Sequence, residues 1–145
     1  MADLVRTKIK AVIESVPNMG IVHAYERWAA DWGKFIALFK APTGEILGWE
    51  LSRVAATGTY LNTVEEEVSH KYLIRGYMGL QDAAETELLF NEKIEAMRDV
   101  FRSDMTLGGL NGLPKGFDCR LIETRSFGSV LCHYAEIIID VQEVR

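Results

Sequence analysis

The sequence predicts an α+β fold, a small mixed or antiparallel sheet of about four to five strands packed against two main helices, in the order α-β-(α)-β-β-α-β-β. Three observations carry this expectation. Two segments place apolar residues at helical spacing, several others alternate with period two, and turn-forming residues separate them. A length of 145 residues fits one domain over 1–145 with a full core of its own.

The first helix is expected over residues 4–16. Asp3 can cap it, and Val5, Ile9, Val12 and Val16 line one face, with Ile13 widening the stripe. Pro17-Asn18 stops it, and Gly20 permits the turn into a short extended segment, Ile21 to Tyr25. From Arg27 to Lys40, Trp28, Trp32, Phe35 and Phe39 recur at helical spacing, so a short amphipathic helix is plausible there despite Gly33.

A turn at Ala41-Pro42-Thr43-Gly44 leads into a strand over Glu45 to Val54, with Leu47, Trp49 and Leu51 on its buried face and Ile46, Gly48 and Glu50 opposite. Residues 55–69 lose the alternation and end in Glu65-Glu66-Glu67, which reads as an irregular segment. The next strand runs from His70 to Leu80, with Tyr72, Ile74, Gly76 and Met78 alternating against Leu73, Arg75 and Tyr77. Asp82 and Glu85 have capping-box spacing ahead of the clearest helix, whose stripe is Phe90, Ile94, Met97 and Phe101 and whose end falls near Ser103. A second irregular segment is expected over 104–118, rich in glycine. A hairpin closes the chain, from Cys119 to Arg125 and from Val130 to Val141, and Ile137-Ile138-Ile139 suggests that its second strand is central and covered on both faces.

Composition narrows the function. A formal charge of −5 argues against a sequence-reading nucleic-acid module, which would carry a basic face. No apolar run is long enough to span a bilayer, and the charged N-terminal residues do not resemble a signal peptide. Cys119 and Cys132 could be bridged across a hairpin, but two isolated cysteines in a reducing compartment are better read as free, buried thiols.

No catalytic constellation emerges. His23, His70 and His133 share no metal-like spacing with each other or with the cysteines, and each is expected half-exposed at a strand edge. The glycine-rich stretch has Lys115 followed by Gly116 and runs from helix to strand, opposite to a phosphate-binding loop. Ser126 and Ser129 lie in a hairpin turn, and Cys132 and His133 point to opposite faces of a strand. Catalytic, cofactor-binding and metal residues are therefore none, and no enzyme activity is expected. The aromatic group Trp28, Trp32, Phe35, Phe39 and Trp49 is either a second hydrophobic cluster or a protein-protein surface rimmed by Arg27, Lys34, Arg53 and Arg75.

The strings YERWAADWGKFIALFK, ILGWELSR and KYLIRGYMGLQDAAETE resemble small proteins of long-tailed bacteriophages and prophages. After the long helix, FRSDMTLGGLNG resembles the tail-terminator (tail-completion) family, whose helix ends in an Asp-x-x-Leu-Gly-Gly turn, here Asp104, Leu107, Gly108 and Gly109. The tryptophan-rich segment lies outside the general terminator pattern. The resemblance implies a virion protein that forms a homohexameric ring on the tail tube, ends tube growth, and faces the head-side connector or neck protein. It implies assembly in the host cytoplasm, residence at the head-proximal end of the tail, and DNA passing through without specific binding. Subunit and partner contacts would then fall on Trp28, Trp32, Arg53, Tyr60, Glu65, Glu66, Glu67, Leu107, Leu110, Lys115 and Phe117. The alternatives are a head-tail connector and a small ligand-binding regulatory α+β domain.

Overall fold

A computed structural model of the chain describes residues 4–42, 44–103, 117–127 and 130–145. Its elements are α1 (Leu4–Glu14), β1 (Ile21–His23), α2 (Trp32–Phe39), β2 (Leu47–Tyr60), β3 (Glu66–Gly79), a 3-10 turn (Asp82–Ala84), α3 (Thr86–Ser103), β4 (Phe117–Phe127) and β5 (Val130–Val144). The fold is α+β, with a five-stranded mixed sheet in the order β1-β2-β3-β5-β4. Among the described residues only β1–β2 is parallel; the other ladders are antiparallel.

One face of the sheet carries the main core. Val5, Ile9, Val12 and Ile13 of α1 and Phe90, Ile94, Met97 and Phe101 of α3 pack there against Leu47, Trp49, Leu51, Tyr72, Ile74 and Ile137. Helical and strand periodicities meet at this plane, as the apolar spacing requires. Trp49 is the centrepiece: its indole stacks on Phe90 at 5.7 Å, and its Nε1–H donates to Met19 O at 2.8 Å. Gly76, its cross-strand neighbour, makes the room, because a Cβ there would lie 2.2 Å from the indole. Asn18 and Gly20 both adopt positive φ and end the turn after α1; a Cβ on Gly20 would collide with Leu47 O.

The other face holds a smaller cluster in which Phe35 and Phe39 of α2 meet Tyr77, Cys132 and Tyr134. This corrects the expectation of a single buried face on β2, where residues from Leu47 to Leu51 are all buried. Gly48 explains the second cover, since a Cβ there would sit 2.6 Å from Phe39 and hold α2 off the sheet. Strand β5 is interior, as its isoleucines suggest, although Ile138 stays half-buried while Ile137 and Ile139 are fully enclosed.

Several boundaries move for local reasons. Asp31 accepts from Lys34 N–H at 3.0 Å and caps α2, so the helix starts at Trp32 and Trp28 falls on the linker before it. The Asp82/Glu85 capping box does not form. Those residues make a 3-10 turn, Glu85 takes a left-handed φ of 56°, and α3 starts only at Thr86, whose hydroxyl accepts from Gln81 N–H at 2.9 Å. Asp3 lies outside the described residues.

The largest correction concerns residues 55–69. They are not irregular: 55–60 and 66–69 are strand, and the β2–β3 ladder runs unbroken to Tyr60↔Glu66 apart from a bulge between Arg53 and Ala55. At the tip, Asn62 Oδ1 accepts from Val64 N–H and Glu65 N–H at 2.8 and 2.9 Å. The β5 ladder continues beside β3 to Glu67↔Val144, so this arm is three strands wide. Of the second expected irregular segment, 104–116 lie outside the described residues, while Phe117 and Asp118 belong to β4.

Candidate functional site

A cleft of about 530 Å³ opens on the α2 side of the sheet, between the 24–31 linker and strands β3, β4 and β5. The linker is held down from beneath. Glu50, only 3% exposed, accepts from Arg27 N–H at 3.0 Å and from the Tyr77 hydroxyl at 2.9 Å. Burial raises the Glu50 pKa, and those two bonds and the nearby Arg75 charge pull against it. Arg75 donates to Glu26 at 2.6 Å; burial opposes its charge, but Glu26 and the surrounding phenols and carboxylate hold its pKa up.

The outer wall repeats the theme. The Tyr134 hydroxyl donates to Glu136 Oε2 at 2.7 Å, and Arg120 donates to Glu136 Oε1 at 2.9 Å. The Tyr134 hydrogen bond, then the Arg120 bond and charge, draw Glu136 below the usual carboxylate range, while burial pushes Tyr134 up to about 12. Arg125 lies 4.2 Å from the Tyr134 ring and pairs with Glu123. Phe35 and Phe127 stack at 5.0 Å across the floor. The Tyr77 and Tyr134 hydroxyls are thus hydrogen-bonded to the Glu50 and Glu136 carboxylates, respectively, beneath the cleft.

Trp28 stands on the linker at this cleft, 84% exposed. The other aromatics divide: Phe35 and Phe39 form the second core cluster, Trp49 belongs to the main core, and the side chain of Trp32 lies outside the described set. Arg53, Tyr60 and Glu65 are exposed along the arm, with Glu66 and Glu67 half-buried beside them. Phe117 is buried against Phe101, beneath Arg98, so it supports the core and offers no contact surface. Leu107, Leu110 and Lys115 lie outside the described residues. Of the expected contact residues whose side chains are described, Trp28 lies at the cleft, Arg53, Tyr60, Glu65, Glu66 and Glu67 lie on the arm, and Phe117 lies in the core.

Two of the three histidines differ from expectation, while His23 is half-buried on the edge strand β1, as expected. His70 and His133 are buried, His70 lying 2.8 Å from Glu143 Oε1 and His133 lying 2.8 Å from the Thr86 hydroxyl; His23 lies against Phe39. Each has a fixed structural contact that a lone histidine in a sequence cannot reveal. Both cysteines are free. Cys119 faces Ile137 and Cys132 faces Arg125 in the β4–β5 ladder, so they are not opposed, and burial pushes the Cys132 thiol up to about 11. Among the described residues, no three His, Cys, Asp or Glu side chains are grouped to hold a metal ion, and no helix is long and apolar enough to cross a membrane.

The polar floor of the cleft, Glu50, Tyr77, Tyr134 and Glu136, escaped sequence reasoning. Its one signal in the sequence is an acid, Glu50, between buried residues on a strand whose alternation leaves the second face open. No protein-family model matches the chain, and no curated protein matches it.

Proposed function

We propose that this chain is a structural subunit of a phage tail, a tail terminator that forms a homohexameric ring capping the tail tube and meeting the head-side connector. The sequence resemblance supplies the tail setting, and the observation that supports a role as an assembling subunit is the arm. From Arg53 to Tyr60 every residue of β2 is exposed, and among the described residues no strand pairs with its outer edge beyond Glu50. A long regular strand with a bare edge and almost no core of its own is a surface built to be covered by another chain. The cleft supports a structural role as well, because its titratable groups are tied to each other.

The acidic balance fits such a ring. Six copies of a chain with charge −5 carry about −30, and acidic groups around a lumen let DNA slide without sticking. A ring with a strongly positive channel lining would contradict this.

The test is growth of tail tubes from purified tube protein in the presence of this chain. Shortened tubes with the chain on one end are expected. Unchanged tube lengths with no bound chain would overturn the terminator role, and binding to portal or adaptor rings instead would assign it to the connector.

A further inference from the structure

We infer that the tip of the arm of one copy docks in the Trp28 cleft of the next copy, and that this contact is what closes the ring. The inference rests on the ring reading above and names the surfaces that make it. Tyr60 and Val64 are each 82% exposed, and Leu61 beside them is exposed too. The Asn62 hydrogen bonds and the Leu61 N–H to Glu65 O bond of 3.0 Å hold the tip in one shape. A preorganised apolar tip loses little conformational freedom on docking, which favours association.

The cleft offers the counterpart. Trp28 and Tyr25 project from its linker, and Trp, Tyr and Arg are the residues that dominate interface energetics. The cleft lining mixes four acidic residues with three arginines, and of the arginines only the Arg27 side chain lacks a carboxylate partner among the described residues and is free to face the acidic arm. The Arg27 guanidinium lies over Tyr25 at 5.1 Å and 3.4 Å from His23 Nδ1, with no carboxylate side chain paired to it among the described residues. On the arm, the carboxylates of Glu66 and Glu67 have no cationic partner among the described residues, and that of Glu66 lies across Gly58.

The arm cannot reach its own cleft. Tyr60 pairs with Glu66, and Tyr77 in the cleft lies eleven residues further along β3, roughly 36 Å at the rise of a strand. Contact between two different patches on identical chains is heterologous, the kind that generates rings when the rotation closes.

Complementation tests this directly. A tip variant, Tyr60→Ser with Val64→Ser, keeps an intact cleft; a cleft variant, Arg27→Ala with Trp28→Ala, keeps an intact tip. Native mass spectrometry of wild type, each variant and their mixture, alone and on tube ends, is the measurement. Multimers are expected for wild type, monomers for each variant, and a one-to-one dimer that grows no further for the mixture. Circular dichroism and cooperative unfolding of both variants check their folding, and the mixed dimer itself requires both to be folded. Variants that still form wild-type rings would overturn this contact and leave the ring reading standing, as would a mixture of folded variants that stays monomeric while wild type assembles. A wild type that is monomeric everywhere, tube ends included, would overturn both.

Discussion

Strand β2 changes character halfway along. Its first five residues, from Leu47 to Leu51, are buried between two layers of helix, while its last eight, from Arg53 to Tyr60, are exposed. Both halves pair with β3 in one ladder. In the body, hydrogen bonding and apolar burial coincide on β2; along its outer half the ladder persists while burial stays with the β3 partners Val68, His70 and Tyr72. Burial is the dominant favourable contribution to folding, so the body can stand without the arm, whereas the arm depends on the body for its alignment.

The largest break in that contrast is expected at Trp49. Trp49→Ala empties the space between Phe90 and Gly76 and should cost about 3–5 kcal/mol, measured by chemical denaturation. Gly76→Ala attacks the same contact by overfilling it and should cost about 1–3 kcal/mol, with a loss of Trp49 near-ultraviolet ellipticity as the second readout.

Glu50 sharpens the comparison on the cleft side. Burial holds its pKa above the unfolded value of 4.5. Its contribution is therefore fully present below that unfolded value and is lost as pH rises through the higher folded pKa. Glu50→Gln should flatten this fall in stability with rising pH, an effect smaller than either packing change. Unfolding midpoints over a pH series decide it, and an unchanged slope would speak against a buried, reluctant carboxyl.

The smallest stability effect belongs to the arm. Tyr60→Ser should leave unfolding within about 0.5 kcal/mol of wild type, as exposed sites usually do, while weakening self-association. A large loss of stability would mean that the arm serves the monomer core.

The same division governs what could be read from the sequence. The stripe of α3 and the alternation around Leu47, Trp49, Leu51, Tyr72 and Ile74 were legible because burial writes a period into the residues. In AATGTY no face is buried, so no alternation marks it as strand. The clue lay across the ladder in Val68, His70 and Tyr72, which keep the period on β3. The cleft was less legible still. Glu50 looks like a solvent-facing acid until Gly48 lets α2 approach, and the Arg75–Glu26 and Arg120–Glu136 pairings exist only once β3 meets the linker and β4 meets β5. The helical spacing of Trp28 with Trp32, Phe35 and Phe39 leaves core and surface open for it, and the structure puts Trp28 exposed on the linker because Asp31 starts the helix after it.

The most direct test of the ring is the mass of the wild-type chain in solution, with and without assembled tail tubes. A closed ring of identical copies seated on tube ends is the expected result. A strict monomer that never associates with tubes would contradict it.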